Sequence, residues 1–223
     1  MFAFSATIYA QETNMVSMDS WVAGTSGEAL PYKLQGTASQ SSRIVMSGPH
    51  GDPVVVWQAA ADGSSGMNGG FSHSGVVLET SKTYRFSFWM QSSGPNGCTN
   101  YAGYTPYETN GTLINSSQRV DGTTTNWPYF YNANLPNDTW YLIVGYMGPS
   151  GFSGGPDSGV YDSSDFDPNT PDVLPAPVFS ATDWVFPNTA NNQVDIRIRN
   201  FMWNCAPNEF LFSYEPRIEE FDG

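Results

Sequence analysis

The segment from Lys82 to Gln91 carries a large apolar residue at every second position, and no other feature of the chain narrows its fold as far. An extended strand sends successive side chains to opposite faces. Tyr84, Phe86, Phe88 and Met90 therefore share one face, and Arg85, Ser87, Trp89 and Gln91 share the other. The first face is that of a core. The second carries a guanidinium, an amide and an indole, which a dry interior must satisfy with partners and a binding face can offer directly. The pattern recurs from Gln193 to Trp203, where Val194, Ile196 and Ile198 alternate with Asp195, Arg197, Arg199, Phe201 and Trp203. A slip of one residue would turn every side chain over. The expectation is thus that Trp89 and Trp203 lie on one sheet face with Arg85 and Arg197, opposite Phe86 and Ile196.

Shorter strands are expected at 43–46, 54–58, 75–79, 183–186, 209–214 and 217–221, from β-branched and aromatic runs bounded by turn residues. Residues 139–147 are apolar on both faces, which places them in the middle of a sheet. Between these runs lie stretches dense in Gly, Ser, Asn and Pro, at 62–70, 92–137 and 148–180. No long segment sustains the three-and-four apolar spacing of a helix. The chain of 223 residues, with 22 Gly, 16 Pro and only 13% charged residues, reads as all-β: a jelly-roll β-sandwich with long loops over 21–223.

Residues 1–20 read as an N-terminal β arm, because Phe2, Phe4, Ala6 and Ile8 alternate with Ala3, Ser5, Thr7 and Tyr9. A lone strand of this kind must pair with a sheet edge. That edge belongs either to its own domain or to another subunit, so homo-oligomer or virion partners are expected through strand addition. The competing reading is a signal-peptide remnant ending at Ala10, although the basic n-region of such a peptide is missing.

The formal net charge is -13, and the only lysines are Lys33 and Lys82, which argues against nucleic acid as a partner. No segment has the length and apolarity for membrane insertion. Cys98 and Cys205, together with Asn-X-Ser/Thr tripeptides at Asn110, Asn115 and Asn137, fit a disulfide in an extracellular, cell-surface or virion protein. Such a bond would contribute about 4 to 5 kcal/mol. Two buried thiols are the alternative.

Aromatic rings bind sugars by stacking on the apolar face of a pyranose, while amides, carboxylates and guanidiniums bond its hydroxyls. The strand faces offer Arg85, Trp89, Gln91, Arg197, Arg199 and Trp203, and the loop regions offer Tyr104 and Trp127 beside Tyr101, Tyr107, Tyr129 and Tyr131. Three arginines and a glutamine are too many for a dry core, so a polysaccharide or surface glycan is the expected partner. The competing assignment is that the same aromatics complete the sandwich core. An acidic loop supplies Asp162, Asp165, Asp167, Asn169 and Asp172, and calcium, which takes six to eight oxygen ligands, is the cofactor such a loop can clamp. Its spacing is not that of an EF-hand, and a solvated loop is the alternative. His50 and His73 sit in turns, and no nucleophile elbow, zinc-helix motif or phosphate-cradling loop accompanies them.

Taken together, Gly69-Gly70-Phe71, the Lys82 to Trp89 strand, Thr139 to Tyr146 and the closing Glu215 to Gly223 resemble jelly-roll carbohydrate-binding modules and lectin-like domains. These domains occur in secreted glycan-active enzymes and in bacteriophage fibre or decoration proteins. The resemblance covers about residue 21 to the end. It implies a non-enzymatic glycan-recognition sandwich and, as a second candidate for calcium, a site near the N-terminal loop and the last strand with Glu219 and Asp222. Two other functions compete: a structural virion or filament subunit that assembles through its arm, and a polysaccharide lyase or hydrolase. The arginine, glutamine, histidine and tyrosine motifs of jelly-roll alginate lyases are absent as a set.

Overall fold

The computed structural model describes residues 13–95, 97–167, 169–170, 173–189 and 191–222. The proposed pairing of residues 1–12 with a sheet edge lies outside them. The strands in chain order are β1 (Tyr32–Leu34), β2 (Ser41–Ser47), β3 (Pro53–Ala60), β4 (Met67–His73), β5 (Val76–Glu79), β6 (Thr83–Ser93), β7 (Thr99–Tyr107) and β8 (Ser117–Arg119). They continue with β9 (Thr124–Thr125), β10 (Tyr129–Asn134), β11 (Trp140–Gly148), β12 (Gly159–Asp162), β13 (Trp184–Val185), β14 (Gln193–Trp203) and β15 (Phe210–Phe221).

These strands form two sheets packed face to face. The smaller runs β1-β4-β14-β7-β10, with β5 also on β14. The larger runs β2-β3-β15-β6-β11-β13-β8-β9, with β12 also on β11. From β3 to β15 the chain crosses between the sheets at most of its connections, which makes the sandwich a jelly roll. All pairs are antiparallel except β11 with β13. The all-β expectation therefore holds. Strand β11 is buried along its whole length between β6 and its partners β12 and β13, as its two apolar faces require.

The inward faces interlock as the alternation dictates. Phe86, Phe88 and Met90 of β6 meet Val194, Ile196 and Ile198 of β14 in one buried cluster, with Phe86 against Phe130 at 4.9 Å between ring centroids. Gly145 on β11 makes room for that ring, since a Cβ there would lie 2.3 Å from Phe130 Cδ1. Where two strands are expected at 209–214 and 217–221, the structure has one. Glu215, at φ 47°, forms a bulge that keeps β15 in the sheet with a register shift between Tyr214 and Arg217.

The described residues of the 1–20 span pack with the sandwich. Val16 and Trp21 are core residues, and the segment before Trp21 is stitched to β15: Met15 N–H donates to the Ile218 carbonyl at 2.9 Å and Ile218 N–H to Asn14 Oδ1 at 3.0 Å. Among the described residues, no helix is long and apolar enough to cross a membrane.

The outer faces of the two sheets differ in kind. Trp89, Trp140, Leu142, Val144, Tyr146 and Tyr161 on the larger sheet form a second apolar cluster, capped by Phe152, Phe166 and Leu174 from the 148–180 region. The outer face of the smaller sheet is covered only in part, by residues 113–127, which leave a cleft over Arg197 and Arg199.

Candidate functional site

The outer face of the smaller sheet is built on β14, its central strand. Alternation turns Asp195, Arg197, Arg199, Phe201 and Trp203 outward, and register sets Tyr107, Thr105, Gly103, Tyr101 and Thr99 of β7 directly beside them. On the other side Ser72 of β4 pairs with Arg199, and Lys33 of β1 with Ser72. Gly103 matters because it has no side chain: a Cβ there would stand 2.7 Å from Tyr129 Cδ1 and 2.4 Å from the Pro128 carbonyl. Its absence lets Tyr129 of β10 lie down across β7.

The result is a stripe of rings. Tyr129 and Tyr101 are 4.7 Å apart between centroids, Tyr101 and Phe201 stack at 4.9 Å with 9° between planes, and Trp203 follows at 6.4 Å from Phe201. Trp203 is 43% exposed and Trp127 is 63% exposed, so the two indoles stand free at separate points of the face.

The arginines are set among these rings. The Arg199 guanidinium carbon lies 5.3 Å from the Trp127 ring, 4.9 Å from Tyr129 and 5.5 Å from Phe201, within cation–π range of each. Its Nη2 donates to the Tyr129 hydroxyl at 3.1 Å. Burial pushes its pKa down, opposed by Tyr129 and Tyr107, and burial raises that of Tyr129. Arg197 lies 3.8 Å over the Tyr107 ring and pairs with Asp195 at 3.2 Å. Both arginines line a cleft of about 380 Å³, whose walls add the Gln35, Asn115 and Asn126 amides, the Ser72 and Thr105 hydroxyls, and the rings of Tyr107 and Trp127.

Other sequence candidates fall elsewhere. Trp89 does not share a face with Trp203, because β6 and β14 belong to different sheets and their outward sides point in opposite directions. Alternation fixes which side of its own sheet a residue takes, and says nothing about which sheet that is. Trp89 is 5% exposed, enclosed by His50 and Phe166. Arg85 is bound by Asp157 and Glu219, each at 3.4 Å, while Asp157 also accepts from the Tyr146 hydroxyl. Gln91 is half-buried on the same outer side. Tyr104 is a core residue, stacked on Phe86 and edge-on to Trp184, because it shares its parity on β7 with Asn100 and Ala102.

In the acidic loop, Asp162 accepts from Ser164 N–H and Asp167 from Asn169 N–H, both at 2.8 Å, as turn caps. Asp165 ends the short 3-10 turn that Asp162 caps. Asp172 lies outside the described residues, and among those described no three acidic, His or Cys side chains converge on a metal position. Glu219 is committed to Arg217 and Arg85, and Asp222 is exposed. Cys98 and Cys205 are bonded, with Cα atoms 5.5 Å apart.

From sequence, Tyr101, Tyr107 and Tyr129 fall in loops, Gln35, Ser72 and Asn126 have no role, and Asn115 stands only as the start of an Asn-X-Ser/Thr tripeptide. The parity of Tyr101, Gly103, Thr105 and Tyr107 was the available signal, masked by Gly103 and Pro106 within the run.

No protein-family model matches the chain, and no curated protein matches it. Solved structures similar to it include an exo-β-agarase, at 13% identity and TM-score 0.49, over 87% of this chain. The chain spans 24% of that agarase's length. A CBM4 structure aligns at 11% identity and TM-score 0.37, covering 86% of this chain and 95% of the other. A CBM22-1 xylan-binding domain from Paenibacillus barcinonensis aligns at 10% identity and TM-score 0.37, covering 90% and 97%.

Proposed function

We propose that this chain is a glycan-recognition β-sandwich that binds sugar chains without transforming them, on the outer face of its smaller sheet. One observation carries the reading: two exposed indoles, Trp127 and Trp203, flank a face on which rings, guanidiniums and hydroxyls are set at the spacing of a β-sheet, with amides on the walls of the cleft. Rings supply flat apolar surface for pyranose stacking, and the polar groups between them supply donors and acceptors for hydroxyls.

The non-catalytic part of the reading is supported by the cleft's composition. Its lining contains no Asp, Glu or His, whereas glycoside hydrolysis uses paired carboxylates and proton abstraction a positioned base. His73 is buried against Tyr32, and His50 packs on Trp89 across the molecule. The Cys98–Cys205 bond supports an extracellular or surface location.

A glycan array probed with the wild-type chain and with Trp127→Ala and Trp203→Ala tests the proposal. Binding is expected for the wild type, with a loss of about tenfold or more in each variant, about 1.4 kcal/mol, and unchanged melting temperatures because both indoles are exposed. Retention of full affinity in both variants would move the site off this face.

A further inference from the structure

Resting on that reading of the face, we propose that its sugar ligand is anionic, a uronate or a sulfated residue whose acidic group docks against Arg199. Arg199 is 8% exposed, yet no carboxylate lies within ion-pair distance of it among the described residues. Among the described residues its one side-chain acceptor is the Tyr129 hydroxyl, and its Nε is buried with no partner. Burying a cation without a counter-charge is costly, and a structure that does so in a binding cleft leaves the ligand to complete the pair.

Four of the other five arginines show what completion looks like, while the fifth, Arg119, is only half-buried and rests on the Trp184 ring with no ion pair and with its Nε also unpartnered among the described residues. Arg43, the other buried arginine, gives its guanidinium to the Gly27 carbonyl and, at 3.1 and 2.8 Å, to the Thr25 hydroxyl. Arg85, Arg197 and Arg217 each have at least one carboxylate. Arg199 has instead the faces of Trp127, Tyr129 and Phe201. Ring faces fix a guanidinium without consuming its in-plane N–H donors; with Nε enclosed and one Nη2 proton on Tyr129, the Nη1/Nη2 edge is the one left for the two-point pairing that carboxylates and sulfates accept.

Charge around the cleft agrees. Asp195 is neutralised by Arg197, and Lys33 stands exposed on the outward side of β1, beside Ser72 and one strand removed from Arg199. The net charge of -13 opposes an approaching anion. That field is screened beyond about 8 Å at physiological ionic strength, so the contact with Arg199 decides.

The test uses the intact chain and sugar polymers in pairs: polygalacturonate and alginate, each beside its carboxyl-reduced form, and a sulfated galactan beside its desulfated form. Affinity is measured for wild type, Arg199→Gln and Arg199→Lys. At least one acidic polymer is expected to bind about tenfold or more tighter than its neutral counterpart, and the polymer that does so identifies carboxylate or sulfate as the docking group. Arg199→Gln is expected to erase the preference. Arg199→Lys, which keeps charge but not the planar fork, is expected to reduce it severalfold. Equal binding of acidic and neutral forms by the wild type would overturn the anionic assignment and leave glycan recognition standing. Absence of binding to every acidic and neutral polymer would overturn both, and neither result depends on a variant folding.

Discussion

His73 shows how one side chain can write a pH dependence into the fold. It is buried on β4 with its ring 5.1 Å from that of Tyr32, and its Nδ1 accepts from Gly75 N–H at 3.2 Å, which requires the neutral imidazole. Burial lowers its pKa below the usual 6.5, with Asp195 pulling the other way. A depressed pKa means stability that is present above about 6.5 and lost as pH falls through the folded-state value. Denaturant midpoints should therefore drop more between about pH 7.5 and 5.5 for the wild type than for His73→Gln, which keeps an acceptor without the charge. Equal slopes would show that His73 does not titrate in this range. Asp183, whose pKa burial raises while it accepts from Gly155 and Tyr146 N–H, works in the opposite direction and is common to both proteins.

At the scale of elements, the long strands declare themselves and their neighbours do not. The alternation of β6 predicts Phe86 as core, and the structure makes it fully buried against Phe130. Phe86→Ala should cost about 3 to 5 kcal/mol in a denaturant titration. A loss below about 1 kcal/mol would contradict that packing. Strand pairing lies beyond such patterns, because the register of β14 against β7 is set by contacts between residues about a hundred positions apart. For the same reason Arg85 and Trp89 read from sequence like Arg197 and Trp203, although the 148–180 region caps one pair and leaves the other open. Strand β4 was hidden by Gly69 and Gly70, which mark a turn in sequence. In the fold they let backbones meet, since a Cβ on Gly70 would stand 2.1 Å from the Asn200 carbonyl.

For the molecule as a whole, composition conveyed the all-β class, while the identity of the open face had to come from the three-dimensional arrangement. The Cys98–Cys205 bond ties the approach to β7 to the exit from β14, the two strands at the centre of the candidate site, across 107 residues of sequence. Replacing both cysteines by alanine should lower unfolding free energy by about 4 to 5 kcal/mol. It should also loosen the face that β7 and β14 share, so that sugar affinity falls with stability. A denaturant titration read alongside a binding isotherm checks both. The central claim, that sugar is held on the smaller sheet's outer face, has a direct readout in the seven tryptophans of the chain. Their indole N–H signals, followed by NMR as a binding oligosaccharide is added, should move for Trp127 and Trp203 and stay in place for Trp21, Trp57, Trp89, Trp140 and Trp184. Movement of Trp89 and Trp140 with Trp127 and Trp203 unchanged would put the ligand on the opposite side of the sandwich and contradict the account.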